Sequence, residues 1–413
     1  MSGFWYITAI AAATGTLVSV ATNTPAKRLA PLAFSAPSLE IFAQANNTKN
    51  GLIESNQQTD KETNAEETYA EAIALANQAV IAYQSAQKEQ NLDRSIRFTQ
   101  QERDLWQTTL QKLESIPATA DSYTQAQVKR AQYQRLLATA QNKITKANSA
   151  FLADIISNAN ISPDQAHISL CEIGSDLEAA DSCQHHQGNQ HMASPASLIK
   201  LPIAIALMDK LTREEIPLSQ KIYIDPQNFT ENAEGIGIEV EKEYTLAQVM
   251  SRMLGESNNI ATNQLIDYIG REAIAKTLAQ RGYRNTLVDH KLAGDRILPP
   301  NPGTHKNQAT ANDITRMMAE IYELAYPGDE ALLIALYGQR DQELGYQALQ
   351  NLNTNIEWLG EKTGQNDRMI GSTLALRVGP KRYALTVALD YSGDPAAIRD
   401  IIRGIATHLL EKE

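Results

Sequence analysis

An eleven-residue run, Leu198-Ile-Lys-Leu-Pro-Ile-Ala-Ile-Ala-Leu-Met208, is apolar around a whole helix except at Lys200. A helix without a polar face has to be covered on all sides, so the chain must build layers around this one. Pro202 locates its start, because proline is tolerated only near the first turn, where backbone N–H groups have no intrahelical partner. Onset falls near Ser197. There a side-chain oxygen lies at the positive end of the helix dipole, beside N–H groups free to stabilise an oxyanion. Ser197 and Lys200 form a Ser-x-x-Lys string; three apart on a helix, they share a face and the amine can reach the hydroxyl. Ser85-Ala-Gln-Lys88 has the same spacing but lies in a polar amphipathic pattern, which reads as a solvated face.

Two more strings follow in order, Ser257-Asn-Asn259 and Lys362-Thr363-Gly364. Between them there is room for a helical region and then a return to a sheet. The last string precedes two alternating runs, Met369 to Val378 and Tyr383 to Asp390, joined at Gly379-Pro380-Lys-Arg382. They read as adjacent antiparallel strands. To accept a proton near pH 7, Lys200 must be less basic than a free lysine, which burial and a second cation achieve. Lys362 is the candidate for that cation.

On these three strings, and on Met253-Leu-Gly-Glu-Ser-Asn-Asn-Ile-Ala-Thr-Asn-Gln-Leu265, residues 160–413 resemble the class A β-lactamase and penicillin-binding protein superfamily. The resemblance implies a serine acyl-transfer hydrolase acting on a β-lactam or a related cell-wall amide, without metal or organic cofactor. It implies Ser197 as nucleophile, Lys200 as base and Ser257 as relay to the leaving nitrogen. Asn259 would bind the substrate amide and help hold Lys200. Lys362 and Thr363 would bind the substrate carboxylate, Gly364 would let the ligand approach the backbone, and Gln365 would add an oxyanion N–H. The middle residue of the second string is Asn258, where the family has an aspartate; size is kept and a charge removed.

The pattern breaks in one place. Class A enzymes carry a glutamate between the second and third strings that activates the deacylating water. No glutamate lies between Glu272 and Glu320 here. The corresponding segment, Leu287 to Asn301, offers Asp289 and Asp295. Asp289 aligns with a structural aspartate of that loop, and an aspartate is a methylene shorter. Acylation is better supported than deacylation, so a penicillin-binding D,D-peptidase is the rival, with a non-catalytic envelope binding protein as the third reading.

The net charge of −11 over 413 residues argues against nucleic acid as a partner, since phosphate binding needs a basic surface. Gly3 to Ala21 is uncharged, largely apolar and about long enough to span a bilayer. Residues 1–45 are therefore expected to be a membrane anchor or signal segment, and the protein to be exported to the envelope or periplasm. Lys27 and Arg28 follow that stretch, against the usual charge rule. Cys171 and Cys183 flank a turn-like Gly174-Ser-Asp and read equally as a cross-strand disulfide or as two buried thiols. His185, His186 and His191 match no zinc spacing and read as a polar loop.

A polar, disordered linker is expected over residues 46–63, then three helices over 64–158 with breaks near Asn91 and at Pro117. Ala70, Ile73, Ala76 and Val80, then Leu105, Leu110, Leu113 and Ile116, mark the apolar stripes. Trp106, Tyr123 and Tyr133 loosely resemble a tetratricopeptide unit, a possible protein-binding module; a spacer holding the catalytic domain off the membrane is the favoured reading. The expected fold is an α/β (α+β) sandwich: an antiparallel sheet from both ends of residues 160–413, flanked by helices, with an all-helical subdomain inserted. Strands are expected at His167–Glu172, Asp181–His185, Trp358–Thr363, Met369–Val378 and Tyr383–Asp390, closed by a helix from Ala396 to Leu410.

Overall fold

The computed structural model describes residues 47–174, 183–231, 237–294 and 296–413. The N-terminal helices are α1 (Asn47–Lys88), α2 (Leu92–Glu114), α3 (Tyr123–Asn148) and α4 (Phe151–Asn158). Strands β1 (Ala166–Glu172) and β2 (Cys183–His186) follow. The helical region comprises α5 (Lys200–Arg213), the small hairpin β3 (Lys221–Tyr223) and β4 (Glu243–Thr245), α6 (Leu246–Gly255), α7 (Asn259–Ile269), α8 (Arg271–Gln280), α9 (Ala311–Glu323), α10 (Asp329–Tyr337) and α11 (Gly345–Leu349). The chain closes with β5 (Ile356–Asn366), β6 (Met369–Val378), β7 (Lys381–Asp390) and α12 (Pro395–Glu411).

The five long strands form one antiparallel sheet in the order β2-β1-β7-β6-β5. Its two faces are apolar because both are covered. On one side α4, α11 and α12 bury Leu152, Ile156, Ala348, Ile398, Ile402 and Ile405 against Ile168, Leu374, Leu385 and Val387. On the other side α5 to α10 form the larger core, with α9 against β1, β6 and β7. Helix α5 lies inside this second layer, and Leu201 to Met208 are all buried, as a helix lacking a polar face requires. The expected sandwich with an inserted helical subdomain is the observed architecture.

Several local expectations change. The stretch from Asn47 to Thr63 is helical and continuous with α1; its polarity suggested a linker, but Gly51 is its only strong helix breaker. Residues 1–46, with the anchor or signal assignment, lie outside the described residues, as does the 181–182 start of the second strand. Among the described residues no helix is long and apolar enough to cross a membrane. Four helices replace three over 64–158, and α4 packs on α12 rather than with α1 to α3. The buried stripe of α1 is Ala65, Ala72, Ala76 and Ala79, while Ala70 and Val80 are exposed. Alanines face Trp106, whose ring lies tilted against Tyr133 at 4.8 Å between centroids, because small side chains let the bulky rings in. Asn91 breaks the helix as expected, capping α2 by accepting from Arg94 N at 3.0 Å.

Cys171 and Cys183 are bonded, sitting directly opposite each other on β1 and β2. The bond closes a 12-residue excursion, a restriction worth about 3 kcal/mol in the chain-entropy picture. Reduction is therefore expected to lower Tm by several degrees in a thermal scan with and without reductant, and a Cys171→Ala/Cys183→Ala variant should start lower and ignore the reductant.

Candidate active site

Ser197 does not sit on the α-helix itself. It lies in a 3₁₀ turn, Ala196–Ile199, and the α-helix begins at Lys200. At three residues per turn, positions i and i+3 eclipse, which sets the amine of Lys200 beneath the hydroxyl more directly than an α-helix would. Lys200 Nζ is 2.9 Å from Ser197 Oγ. The turn is held by Leu198 N donating to Pro195 O and by a positive φ of 41° at Ala196.

The second string enters from the α6–α7 junction. Ser257 has φ 56°, a left-handed conformation costing a non-glycine residue about 1–2 kcal/mol. That bend turns both its carbonyl and its hydroxyl onto Lys200, at 2.5 Å and 2.9 Å, while Asn259 Oδ1 accepts from the same Nζ at 2.8 Å. Asn258 has another duty: its side chain caps α7, accepting from Ala261 N at 2.9 Å, and it is buried. Asparagine and aspartate cap equally well, and a buried amide costs less than a buried carboxylate, so the departure from the family pattern leaves the turn intact.

Strand β5 is the edge of the sheet, so alternate backbone N–H groups between Lys362 and Asn366 point away from β6, towards the cleft. Lys362 Nζ reaches Ser257 Oγ at 3.2 Å and donates to Thr363 O at 2.6 Å. One hydroxyl thus meets both lysine side chains. Complete burial holds Lys362 down at about 8, against the opposing pull of the Asp341 and Glu361 charges. Its strand neighbour Glu361 faces the opposite layer, where burial pushes it up to about 7 although Ser372 Oγ and Gly345 N donate to it.

Gly364 serves a different contact from the one expected. A Cβ there would meet Leu198 N at 2.9 Å and Ser197 N at 3.0 Å, so the missing side chain admits the Ser197 turn against β5. Gly364 also lines the cleft, but the backbone that approaches it is the protein's own. Gln365 is exposed on the same wall, next to this junction. Ser197, Ser257, Asn259, Thr363, Gly364 and Gln365 together line one cleft of about 1290 Å³. Lys200 and Lys362 lie beneath it, fully buried.

The loop opposite answers the question of a second carboxylate in part. Asp289 Oδ2 accepts from Thr304 N at 2.9 Å and His305 N at 2.6 Å, bonds that hold its carboxyl below the usual range. It closes the base of the loop and is not among the residues that line the cleft with Ser197. Asp295 lies outside the described residues. Leu292 lines the cleft together with His290, Lys291 and Ala293 of this loop, its backbone clamped by Asn263, which donates to Leu292 O and accepts from Leu292 N, both at 2.8 Å. Lys291 is buried on Asn228 and Asp267 at 2.8 Å and 2.7 Å. His186 and His191 meet the carbonyls of Pro163 and Asn285, and among the described residues no cluster of His, Cys, Asp or Glu suits a metal ion.

Sequence reasoning missed the segment Gly338 to Asp341. Arg340 N donates to Gly255 O at 2.9 Å, its guanidinium meets Glu256 at 2.9 Å, and Gln339 Nε2 donates to Thr363 Oγ1 at 3.1 Å. The segment joins the second string to the third, yet Gly-Gln-Arg-Asp has no periodicity or spacing that would flag it.

A family model for the β-lactamase enzyme family matches residues 149–412, and the chain belongs to that family. The fold is similar to that of the β-lactamase from Sphaerobacter thermophilus, with 20% identity and a TM-score of 0.53 over 64% of this chain and 97% of that one. PBP-A has the same identity, score and coverage. A variant of PBP-A in an acyl-enzyme complex with penicillin G is 21% identical, with a TM-score of 0.53 over 64% of this chain and 97% of its own. The search of curated proteins found no match.

The buried Lys362 cation weighs on stability in a pH-dependent way. An unfolded lysine holds its proton up to about 10.5, the folded one only to about 8, so between these values the unfolded chain binds more protons and stability rises with pH. Below pH 8 the group costs about 3 kcal/mol. Lys362→Met is expected to gain about 1–3 kcal/mol at pH 7 in urea unfolding and to lose most of that advantage by pH 10.

Proposed function

We propose that this protein is a serine acyl-transfer hydrolase of the β-lactamase type, opening a β-lactam or a related peptidoglycan amide through an acyl-enzyme at Ser197. The observation that carries the reading is the single side-chain nitrogen of Lys200 touching Ser197 Oγ, Ser257 Oγ and Asn259 Oδ1 at 2.8–2.9 Å, with Lys362 on the far side of Ser257. The PBP-A variant trapped with penicillin G supports the substrate class.

In this mechanism neutral Lys200 takes the Ser197 proton as Oγ bonds to the amide carbonyl carbon. The oxyanion accepts from the Ser197 and Gln365 N–H groups. Its collapse breaks the C–N bond, and the leaving nitrogen receives a proton through Ser257, resupplied from the Lys200 side. Lys362 and Thr363 hold the substrate carboxylate, and Asn259 the amide side chain. The Cys171–Cys183 bond favours an oxidising compartment, so we assign the protein to the cell envelope, with α1 to α3 as a helical spacer.

Incubation with a penicillin should add one penicillin mass to the intact protein, and peptide mapping should locate it on Ser197. Lys200→Ala should slow that acylation by roughly 10²–10⁴-fold. Label on Ser257, or none at saturating probe, contradicts the assignment.

Deacylation is expected to be slow. Leu292 is among the loop residues that line the cleft, while Asp289, bonded to Thr304 N and His305 N at the base of the loop, is not. A missing general base leaves hydrolysis behind acylation by roughly 10²–10⁴-fold, so a chromogenic cephalosporin should give a burst and then a slow steady state. Leu292→Glu should shorten the adduct's lifetime. This persistence also favours a second reading, a D,D-peptidase that acts on peptidoglycan stem peptides and is inhibited by β-lactams.

A further inference from the structure

Thr363 ends its hydrogen bonding one proton short of complete. Its Oγ1 accepts from Gln339 Nε2 at 3.1 Å, and among the described residues no acceptor takes the proton of its own hydroxyl. A hydroxyl has one donor and two acceptor positions; a bond accepted from an amide N–H steers the O–H away from that amide. Thr363 lines the cleft, so the unspent O–H is available to an acceptor that arrives there.

Gln339 is itself held for this purpose at a cost. It is 2% exposed, in the Gly338–Asp341 segment, and among the described residues its buried Oε1 has no partner. A buried acceptor left unsatisfied costs about 1–3 kcal/mol. The segment cannot swing to relieve it, because Arg340 is tied to Gly255 O and Glu256, and Gly338 O lies where a Cβ on Gly255 would come within 3.0 Å. The same Thr363 offers its carbonyl to Lys362 Nζ at 2.6 Å, which fixes the other half of the anion site.

We propose that Gln339 is a positioning and specificity residue: by donating to Thr363 Oγ1 it turns the threonine hydroxyl into a fixed donor for the carboxylate of the substrate. Resting on the acyl-transfer reading above, it adds that discrimination between a free and a blocked carboxylate is set from the loop before α11. A carboxylate substrate gains a charge-assisted bond from Thr363 beside the Lys362 ammonium. An esterified one gains much less.

The test uses the full chain and two readouts. In the first, acylation by benzylpenicillin and by its methyl ester is followed in wild type, Gln339→Met and Gln339→Glu. Gln339→Met leaves the Thr363 hydroxyl unsteered and should raise the half-saturating concentration of benzylpenicillin about tenfold at a nearly unchanged limiting rate. Gln339→Glu presents only acceptors, draws the Thr363 proton inward and should raise it further. The ester should be affected less than twofold by either. In a Thr363→Val background Gln339→Met should add nothing. Equal losses for acid and ester, or a full Gln339 effect without the Thr363 hydroxyl, overturn the inference while leaving the acyl-transfer reading standing. The second readout is equilibrium binding of unreactive penicilloate and its monoester at the same carboxylate, by calorimetry or ligand-observed NMR. It decides the matter even if no acyl-enzyme forms: a wild-type preference for the acid that Gln339→Met abolishes supports the inference, and no preference, or no binding, overturns it.

Discussion

Every part of the site converges on one buried lysine nitrogen. Lys200 is fully buried, and removing its polar head from water costs free energy unless other polar groups replace the solvent. Here the replacement comes from two pieces of chain: the 3₁₀ turn at Ser197, and the α6–α7 junction with the carbonyl and hydroxyl of Ser257 and the amide oxygen of Asn259. The left-handed backbone at Ser257 is the strain that aims two oxygens of one residue at the same nitrogen. The first half of the helix carrying Lys200 has no polar face and is held by packing, so the cage must be built to meet it.

A second buried lysine within reach of the same hydroxyl makes the arrangement costlier still. Lys362 sits on an edge strand whose outer N–H groups have no strand partner, next to a glycine that admits the Ser197 turn. Stability is thus given up locally in a molecule whose two apolar layers, one on each face of the sheet, can carry the loss. Positive charge, free backbone donors and an unspent threonine proton gathered on one wall favour an anionic ligand, although the chain as a whole is acidic.

Much of this was legible in the chain. The Leu198–Met208 run demanded a buried helix, and alternation from Met369 to Asp390 demanded paired strands, because periodicity reports directly which faces meet solvent. Ser197, Lys200, Ser257, Asn259 and Lys362 were found as strings and are in contact. Gln339 was not, because its role depends on where a loop crosses the sheet edge and not on any pattern around it. The alanine stripe of α1 was misjudged for a related reason. Its neighbours Val80 and Ile73 are more apolar, but Trp106 and Tyr133 take the space that only alanines leave.

The sequence by itself determined the buried helix after Ser197, the paired strands from Met369 to Asp390 and the Ser197–Lys200 pair, which follow from local periodicity and from a spacing set by a single helix turn; that Asn259 helps hold Lys200 was implied by the family resemblance. Only the tertiary structure decided that Cys171 and Cys183 are bonded, that Asp289 is spent on the loop at Thr304 and His305, and that Gly364 makes room for backbone. Each of these depends on register or on loop closure between distant segments, where a shift of one residue changes which atoms meet while the composition and pattern of the chain stay the same.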